Sequence, residues 1–225
     1  MILGYKDKHE YTNKHGVTSV VYLMDCMDLL KQVPDKYFEL AVVDPPYGIG
    51  ANKMTLGNGK NKVNRGKEDW DNKIPDKKYF EQLRFSCANQ IIWGGNYMTE
   101  HLSPTGAWVF WDKGTGENDY ADGELAWTSF NKPLRKYFKS WVGNNAKDEY
   151  KRLHPTQKPI ALYEWIFKNY AKPNDKILDT HLGSGSSRIA ADKANLPFVG
   201  CELDPDYFYA SVKRFKEYAN QLTVF

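Results

Sequence analysis

Short apolar, β-branched runs alternate along this chain with segments whose apolar residues have helical spacing. The runs predicted as strands are Val17–Leu23, Phe38–Val43, Gln90–Trp93, Ala107–Trp111, Glu124–Phe130, Lys176–Asp179 and Pro197–Glu202. The segments predicted as helical are Asp25–Gln32, Asp76–Cys87, a helix from about Pro159, Ser186–Asn195 and Pro205–Tyr218. This alternation is typical of α/β proteins with an open, mostly parallel sheet. The 225 residues suffice for a single domain of this kind, and we expect residues 1–225 to form one.

The composition argues against several other classes of protein. No apolar run exceeds five residues, which is too short to span a bilayer, and no signal peptide pattern is visible. Three widely separated cysteines, Cys26, Cys87 and Cys201, argue against a disulfide scaffold and for a reducing compartment. The histidines and cysteines show no metal-ligand spacing, so no metal is expected. We therefore expect a cytoplasmic protein that does not contact a membrane.

Basic residues are concentrated in two segments, although the net charge is only +3. Residues 51–67 carry five basic and no acidic residues, and we interpret 51–70 as a mobile basic loop. Residues 131–152 carry seven basic and two acidic residues, interleaved with aromatic ones. The asymmetry indicates a polyanion bound at one face, although solvated loops would give the same pattern. The cations predicted to bind nucleic acid are Lys53, Lys60, Lys62, Arg65, Lys132, Arg135, Lys136, Lys139, Lys151 and Arg152.

A glycine-rich turn at 183–185 follows the strand that ends at Asp179 and precedes a helix. Such glycines let the backbone approach a ligand closely. Glu202 lies 19 residues after Gly183, where a carboxylate can accept both ribose hydroxyls of a nucleoside. Arg188 takes the place of the third glycine of the dinucleotide motif, which disfavours pyrophosphate binding and with it an oxidoreductase. A nucleoside cofactor such as S-adenosylmethionine fits better. A plain strand–helix turn is the alternative.

The sequence Asp-Pro-Pro-Tyr directly follows the apolar run Phe38–Val43, at a strand end where open α/β sheets bind ligands. The two prolines remove amide donors, which leaves carbonyl oxygens, a carboxylate and an aromatic ring. These groups suit a planar base whose exocyclic amine donates to the Asp44 carboxylate and the Pro45 carbonyl, while Tyr47 stacks on the ring. Such bonds would localise the lone pair of the amine nitrogen for attack on a methyl group. A structural Pro-Pro turn is the alternative. The predicted catalytic residues are Asp44, Pro45, Pro46 and Tyr47.

Three motifs together resemble the S-adenosylmethionine-dependent amino methyltransferases that act on DNA. They are Asp44–Tyr47, His154–Pro159 and Asp179–Gly185, in that order. The catalytic motif precedes the cofactor motif, which is similar to the circularly permuted β class. The resemblance extends from about Val20 to the last helix. It implies a Rossmann-like, open, mostly parallel sheet of seven strands with helices on both faces, and a short target-recognition insert at 131–153.

The resemblance also implies roles for cofactor-binding residues. The family's acid at the end of the preceding strand contacts the cofactor's adenine amine, and Asp25 matches that place. The Thr-Gln-Lys-Pro loop holds the methionine end, and Glu202 holds the ribose. The sequence departs from the family at His181, where a phenylalanine is usual. The full predicted set is Asp25, Cys26, Thr156, Gln157, Lys158, Asp179, His181, Gly183, Ser184, Gly185 and Glu202.

The implied reaction is methyl transfer to the N6 amine of adenine in double-stranded DNA, with the base flipped into the pocket. The family pairs Asp at the first motif position more often with adenine and Ser more often with cytosine. Methylation of the N4 amine of cytosine, methylation of RNA or of a protein amide, and a non-catalytic nucleic-acid-binding subunit are the alternatives. We expect a monomer or homodimer from a restriction–modification system or a phage, located in the cytoplasm of a bacterial, archaeal or phage-infected cell.

Overall fold

The computed structural model describes residues 2–50, 71–115, 121–141, 153 and 156–221. Within these ranges the chain forms one nine-stranded sheet and five α-helices. The strands are β1 (Asp7–Thr12), β2 (Thr18–Leu23), β3 (Phe38–Val43), β4 (Cys87–Trp93), β5 (Trp108–Asp112), β6 (Gly123–Thr128), β7 (Arg135–Phe138), β8 (Ile177–Asp179) and β9 (Phe198–Glu202). The helices are α1 (Cys26–Leu30), α2 (Lys77–Ser86), α3 (Ile160–Tyr170), α4 (Ser186–Lys193) and α5 (Pro205–Gln221).

The strands lie in the spatial order β1-β2-β9-β8-β3-β4-β6-β5-β7. All neighbours from β2 to β4 are parallel, and β5 is parallel to β7. The β1–β2, β4–β6 and β5–β6 pairs are antiparallel. The predicted fold class, an open and mostly parallel α/β sheet, is therefore confirmed.

Both faces of the sheet are covered, because successive side chains of a strand point to opposite sides. On β3, Leu40 and Val42 pack in a core that includes residues of α3, α4 and α5. Ala41 and Val43 pack on the other face, in a core that includes residues of α1 and α2. A strand buried on both faces needs apolar residues at nearly every position, which explains the continuous apolar run in β3.

The prediction of seven strands was wrong, because β1 and β7 were missed. Both are edge strands, which have one neighbour and need few buried residues. β1 alternates half-buried and exposed positions and contains no apolar run. β7 lies inside the predicted recognition insert, where its charged sequence indicated a loop. The predicted helix Asp76–Cys87 is also one residue too long at each end, because Asp76 is the N-cap of α2 and Cys87 begins β4.

The parallel centre of the sheet decides where a ligand can bind. β9, β8 and β3 are adjacent and parallel, so their carboxyl ends meet at one edge. Asp44 follows β3, Asp179 ends β8 and Glu202 ends β9. In open α/β sheets ligands bind in the crevice at this edge. Among the described helices, none is long and apolar enough to cross a membrane.

Candidate active site

A cavity of about 460 Å³ opens at the carboxyl ends of the parallel strands. This volume lies within the usual range for small-molecule sites. The predicted residues that line it are Asp25, Cys26, Asp44, Pro45, Pro46, Tyr47, Thr156, Gln157, Lys158, His181, Gly183, Ser184 and Glu202. Asp179 and Gly185 support the glycine-rich turn without lining the cavity. The fold thus brings together residues that are up to 177 positions apart in the chain.

The Asp-Pro-Pro-Tyr turn is held by Asp71, which the sequence did not single out. The Oδ1 atom of Asp71 accepts hydrogen bonds from the backbone N–H groups of Tyr47 (2.7 Å) and Gly48 (3.0 Å). Asp71 is buried and lines the same cavity. No motif surrounds it, so only the fold reveals its contact with the turn.

The ring of Tyr47 is confined by the segment that follows β4. Tyr97 stacks on it, with ring centroids 5.4 Å apart and planes inclined by 18°. Gly94 has a φ of +67°, and a Cβ atom added there would lie 2.2 Å from Cε1 of Tyr47. A glycine at position 94 is therefore required both by the backbone conformation and by the approach of the ring.

A network of charged side chains surrounds Asp44, in which Lys158 is buried and the others are partly buried. The Lys158 ammonium contacts Oδ2 of Asp44 at 2.6 Å, Oε2 of Glu124 at 3.0 Å and the Tyr47 hydroxyl at 3.1 Å. The Tyr47 hydroxyl donates to Oδ1 of Asp44 at 2.7 Å. Lys113 contacts Oε1 of Glu124 at 2.5 Å. Sequence reasoning missed Glu124 and Lys113, because they lie on the antiparallel side of the sheet and belong to no motif.

Burial and charge act in opposite directions within this network. Burial raises the pKa of Asp44 above its usual value, and the Lys158 ammonium only partly offsets this. Burial also acts to raise the pKa of Glu124, but Lys158 and Lys113 outweigh it and hold that pKa at about 2. Burial acts to lower the pKa of Lys158, but the two carboxylates outweigh it, so the pKa is raised. Lys158 is therefore a protonated cation shared between two acids.

The glycine-rich turn is tied down by Asp179 and by a buried arginine of α5. Asp179 accepts hydrogen bonds from the His181 backbone N–H (3.0 Å) and the Ser187 hydroxyl (2.5 Å). Burial raises the pKa of Asp179 to about 7. Arg214 donates to the Ser184 carbonyl at 3.0 Å. These contacts fix the backbone that faces the cavity.

Glu202 is held by backbone donors at the mouth of the turn. Its Oε2 accepts from the Gly183 N–H at 2.8 Å, and its Oε1 accepts from the N–H groups of Leu203 (2.9 Å) and Asp204 (3.0 Å). Burial raises its pKa above the usual value. Each carboxylate oxygen has more than one lone pair, so the fixed group can accept further hydrogen bonds from a ligand.

His181 and Asp25 have structural partners of their own. Burial lowers the pKa of His181 to about 4, so the imidazole is neutral at pH 7. Its Nδ1 lies 2.9 Å from the Thr180 hydroxyl, which lies 2.7 Å from the Tyr79 hydroxyl. Asp25 is the N-cap of α1 and accepts from the Met27 N–H at 2.7 Å. Both residues nevertheless line the cavity.

The charges of the cavity wall favour a cationic nucleoside. Among its described residues, five carry carboxylates and only Lys158 is cationic. A polyphosphate would be repelled by this wall, whereas a positively charged sulfonium would be attracted. The acids are Asp25, Asp44, Asp71, Glu202 and Asp204. This set of charges therefore fits S-adenosylmethionine better than a dinucleotide.

The predicted DNA-binding cations are only partly within the described ranges. Lys53, Lys60, Lys62, Arg65, Lys151 and Arg152 lie outside them, as does the predicted loop 51–70. Of the others, Lys132 donates to the Asn169 carbonyl at 2.7 Å, and Lys136 pairs with Asp112 at 2.6 Å. Arg135 is exposed on β7, and Lys139 is half-buried just beyond it. In the described part of the chain, no group of three or more His, Cys, Asp or Glu residues could hold a metal ion.

The fold of this chain is that of solved methyltransferases. The family model described as DNA methylase (N6_N4_Mtase) matches residues 76–213, more than half of the chain. The chain therefore belongs to this DNA methylase family, which confirms the predicted methyltransferase. The predicted cofactor, S-adenosylmethionine, is confirmed with it at the level of the family.

Individual relatives and solved structures agree with this membership. The type II methyltransferase M1.MboII of Moraxella bovis is 25% identical over 249 residues, covering 83% of this chain and 92% of the relative. The M1.HpyAVI–SAM complex superposes with a TM-score of 0.56 at 20% identity, covering 87% of this chain and 98% of that chain. The PvuII DNA methyltransferase, described as cytosine-N4-specific, gives a TM-score of 0.61 at 16% identity, covering 94% and 90%. At these identities the structural likeness establishes the fold alone.

Proposed function

We propose that this protein transfers a methyl group from S-adenosylmethionine to the N6 amine of adenine in double-stranded DNA. We further assign it to the permuted β class, since the Asp-Pro-Pro-Tyr strand precedes the glycine-rich strand in the chain. One observation carries the proposal. The Asp44 carboxylate and the Tyr47 ring face the same cavity as the Glu202 carboxylate and the glycine-rich turn.

The cofactor half of the cavity is formed by β2, β8 and β9. Glu202 would accept the ribose hydroxyls, because backbone donors already fix the direction of its oxygens. Asp25, at the end of β2, would accept from the adenine amine of the cofactor. Thr156 and Gln157 would hold the methionine end. When bound, S-adenosylmethionine supplies an electrophilic methyl group on a sulfonium.

The target half of the cavity is formed by the turn after β3. Flipping the base out of the duplex costs a few kcal/mol. Stacking on Tyr47 would offset part of this, at about 1–3 kcal/mol for a base on an aromatic ring. The amine would donate to the Asp44 carboxylate and to the Pro45 carbonyl. With both N–H bonds directed at acceptors, the nitrogen lone pair would be localised and available for attack on the methyl group that the cofactor supplies.

Double-stranded DNA is the proposed partner, and the two basic segments are its proposed phosphate contacts. In the described part of 131–153, β7 carries Arg135 and Lys136, which are both exposed. We expect the protein to act in the cytoplasm, where its DNA substrate would be located. A monomer or homodimer remains our prediction.

N4 methylation of cytosine is the second candidate. The PvuII enzyme, whose description names that specificity, has a TM-score of 0.61 to this chain. Cytosine presents a similar amine beside a ring nitrogen, so the same four residues could serve it. The aspartate at position 44 favours adenine, as the family tendency described above indicates.

Labelled methyl transfer to unmethylated duplex DNA, followed by nucleoside mass spectrometry, tests the proposal. We expect N6-methyladenine from the wild type and a loss of about 100-fold or more in kcat for Asp44→Ala, with cofactor binding retained. Asp28→Ala, which removes an exposed carboxylate paired with Lys31, is the matched control. N4-methylcytosine as the product would establish the second candidate. Full activity of Asp44→Ala would refute the assigned mechanism.

A further inference from the structure

Lys158 lies in the Thr-Gln-Lys-Pro loop, which the family resemblance assigns to the methionine end of the cofactor, where the carboxylate lies. The contacts of its ammonium group indicate a different role. An ammonium has three N–H donors. Each has an acceptor: Asp44 at 2.6 Å, Glu124 at 3.0 Å and the Tyr47 hydroxyl at 3.1 Å. The side chain is 1% exposed, so no donor is directed at solvent or at a free carboxylate.

We propose that Lys158 is a positioning residue of the target-base site, held there by Glu124 and Lys113, and does not bind the cofactor's carboxylate. This inference rests on the proposed function, because it concerns the amine acceptor Asp44. It assigns a role to two charged residues outside every motif.

The surroundings of the ammonium keep it in place. It lies 5.2 Å from the centre of the Trp93 ring and 5.6 Å from that of Tyr47, within reach of favourable cation–π contact. Glu124 reaches it from β6, and Lys113 holds the other oxygen of Glu124 at 2.5 Å. Two carboxylates and two ammonium groups thus balance in a partly buried site, which reduces the cost of removing the Lys158 charge from water.

The consequence for Asp44 is an acceptor with a fixed orientation. Lys158 binds its Oδ2 and the Tyr47 hydroxyl binds its Oδ1, so neither oxygen can rotate. Each oxygen retains a lone pair that the target amine can use. A preorganised acceptor of this kind needs no reorganisation during the reaction. The Lys158 ammonium also contacts Glu124, so it orients Asp44 while it is bound to both carboxylates.

Removing Lys158 would leave the Asp44 and Glu124 carboxylates facing each other, with only Lys113 still paired to Glu124. Buried like charges favour proton uptake by one of them. A protonated Asp44 is a poor acceptor for the amine, so methyl transfer should slow. The cofactor half of the cavity, at Glu202 and the glycine-rich turn, would be unchanged. The effects on kcat and on cofactor affinity should therefore separate.

The test compares Lys158→Met, Lys158→Arg and Glu124→Gln in the full chain. The Kd for S-adenosylmethionine is measured by titration calorimetry, and kcat is measured on duplex DNA under saturating cofactor. We expect Lys158→Met to lower kcat by about 100-fold and to change the cofactor Kd by less than about 2-fold. Lys158→Arg should recover part of kcat, and Glu124→Gln should lower kcat by about 10-fold with an unchanged Kd. Lys193→Met, which removes a more exposed cation paired with Glu164, is the control.

A rise of about 10-fold or more in cofactor Kd for Lys158→Met, with full kcat for Glu124→Gln, would overturn the inference. If Lys158→Met does not fold, Glu124→Gln and Lys113→Met decide it by the same two measurements. A wild type that binds S-adenosylmethionine but methylates no DNA refutes the proposed function instead. In that case the cofactor Kd still shows whether Lys158 binds the cofactor.

Discussion

Replacing Gly94 by alanine tests whether the placement of the Tyr47 ring controls the reaction. The added Cβ would lie 2.2 Å from Cε1 and 2.4 Å from Cδ1 of Tyr47. Ordinary contacts begin at 3.4 Å, so the ring must retreat by roughly 1 Å, a misplacement that can cost about 100-fold in rate. We therefore expect kcat to fall about 100-fold while cofactor affinity is retained, since Gly94 does not line the cavity.

The same substitution also strains the backbone, and this effect must be separated from the first. Gly94 has a φ of +67°, where an alanine costs about 1–2 kcal/mol. Gly16 has a φ of +78° with nothing within 4 Å of its added Cβ. Gly16→Ala therefore carries the strain without the clash. We expect a loss of unfolding free energy in both variants, larger in Gly94→Ala because of the added clash, and a loss of activity only in Gly94→Ala.

The measurements are urea unfolding and single-turnover methyl transfer to DNA on wild type, Gly94→Ala and Gly16→Ala. Full activity in Gly94→Ala would refute the requirement for a confined Tyr47 ring. Equal activity losses in both glycine variants would show that general destabilisation, and not the ring, is responsible.

Three further predictions concern stability and DNA binding. Burial raises the pKa of Asp179 to about 7, whereas an aspartate in the unfolded chain has a pKa of about 3.9. The folded state therefore binds this proton more tightly, and the resulting stabilisation is complete below about pH 4 and is lost as the pH rises through about 7. Asp179→Asn should flatten the decline in unfolding free energy across this interval, and urea titrations with identical slopes would contradict this. Asp71→Ala removes the acceptor of two backbone N–H groups, so it should lower unfolding free energy by about 1–3 kcal/mol and reduce kcat, with cofactor Kd retained in calorimetry. Arg135→Glu with Lys136→Glu should weaken DNA binding and reduce the slope of log K against log salt by about 1 per contact, whereas Lys8→Glu, on the opposite edge strand, should change neither in filter binding.

The predictable parts of the fold are those whose signal is local. The predicted bounds of β3 are those of the structure, Phe38–Val43, because a strand buried on both faces is apolar at nearly every position. The helix predicted from about Pro159 is α3, since proline suits a helix start and Leu162 and Ile166 follow at helical spacing. β1 and β7 escaped prediction because an edge strand is stabilised mainly by its single neighbour, which the local sequence does not reveal.

The residues of the candidate site also divide into those that a local pattern predicted and those that it did not. Asp44, Tyr47 and Glu202 were predicted from their positions directly after or at the end of strands, where the rule about carboxyl ends applies. Asp71 and Glu124 were not predicted, because each acts through a contact with a residue that is distant in the sequence. Asp71 binds the backbone of Tyr47, and Glu124 binds Lys158. Lys158 was predicted as a cofactor residue, but in the structure its ammonium faces Asp44.

The sequence by itself determined the α/β class, the order of the motifs and the strand ends that form the cavity. These follow from patterns within a few residues, which local sterics and burial translate directly into strands, turns and helices. Only the tertiary structure decided which charges meet. Lys158, Glu124 and Asp44 lie on three separate elements, and their distances depend on how the β4–β6 side of the sheet packs against the segment before α3. A buried ion pair is determined by that packing, and no local pattern encodes it.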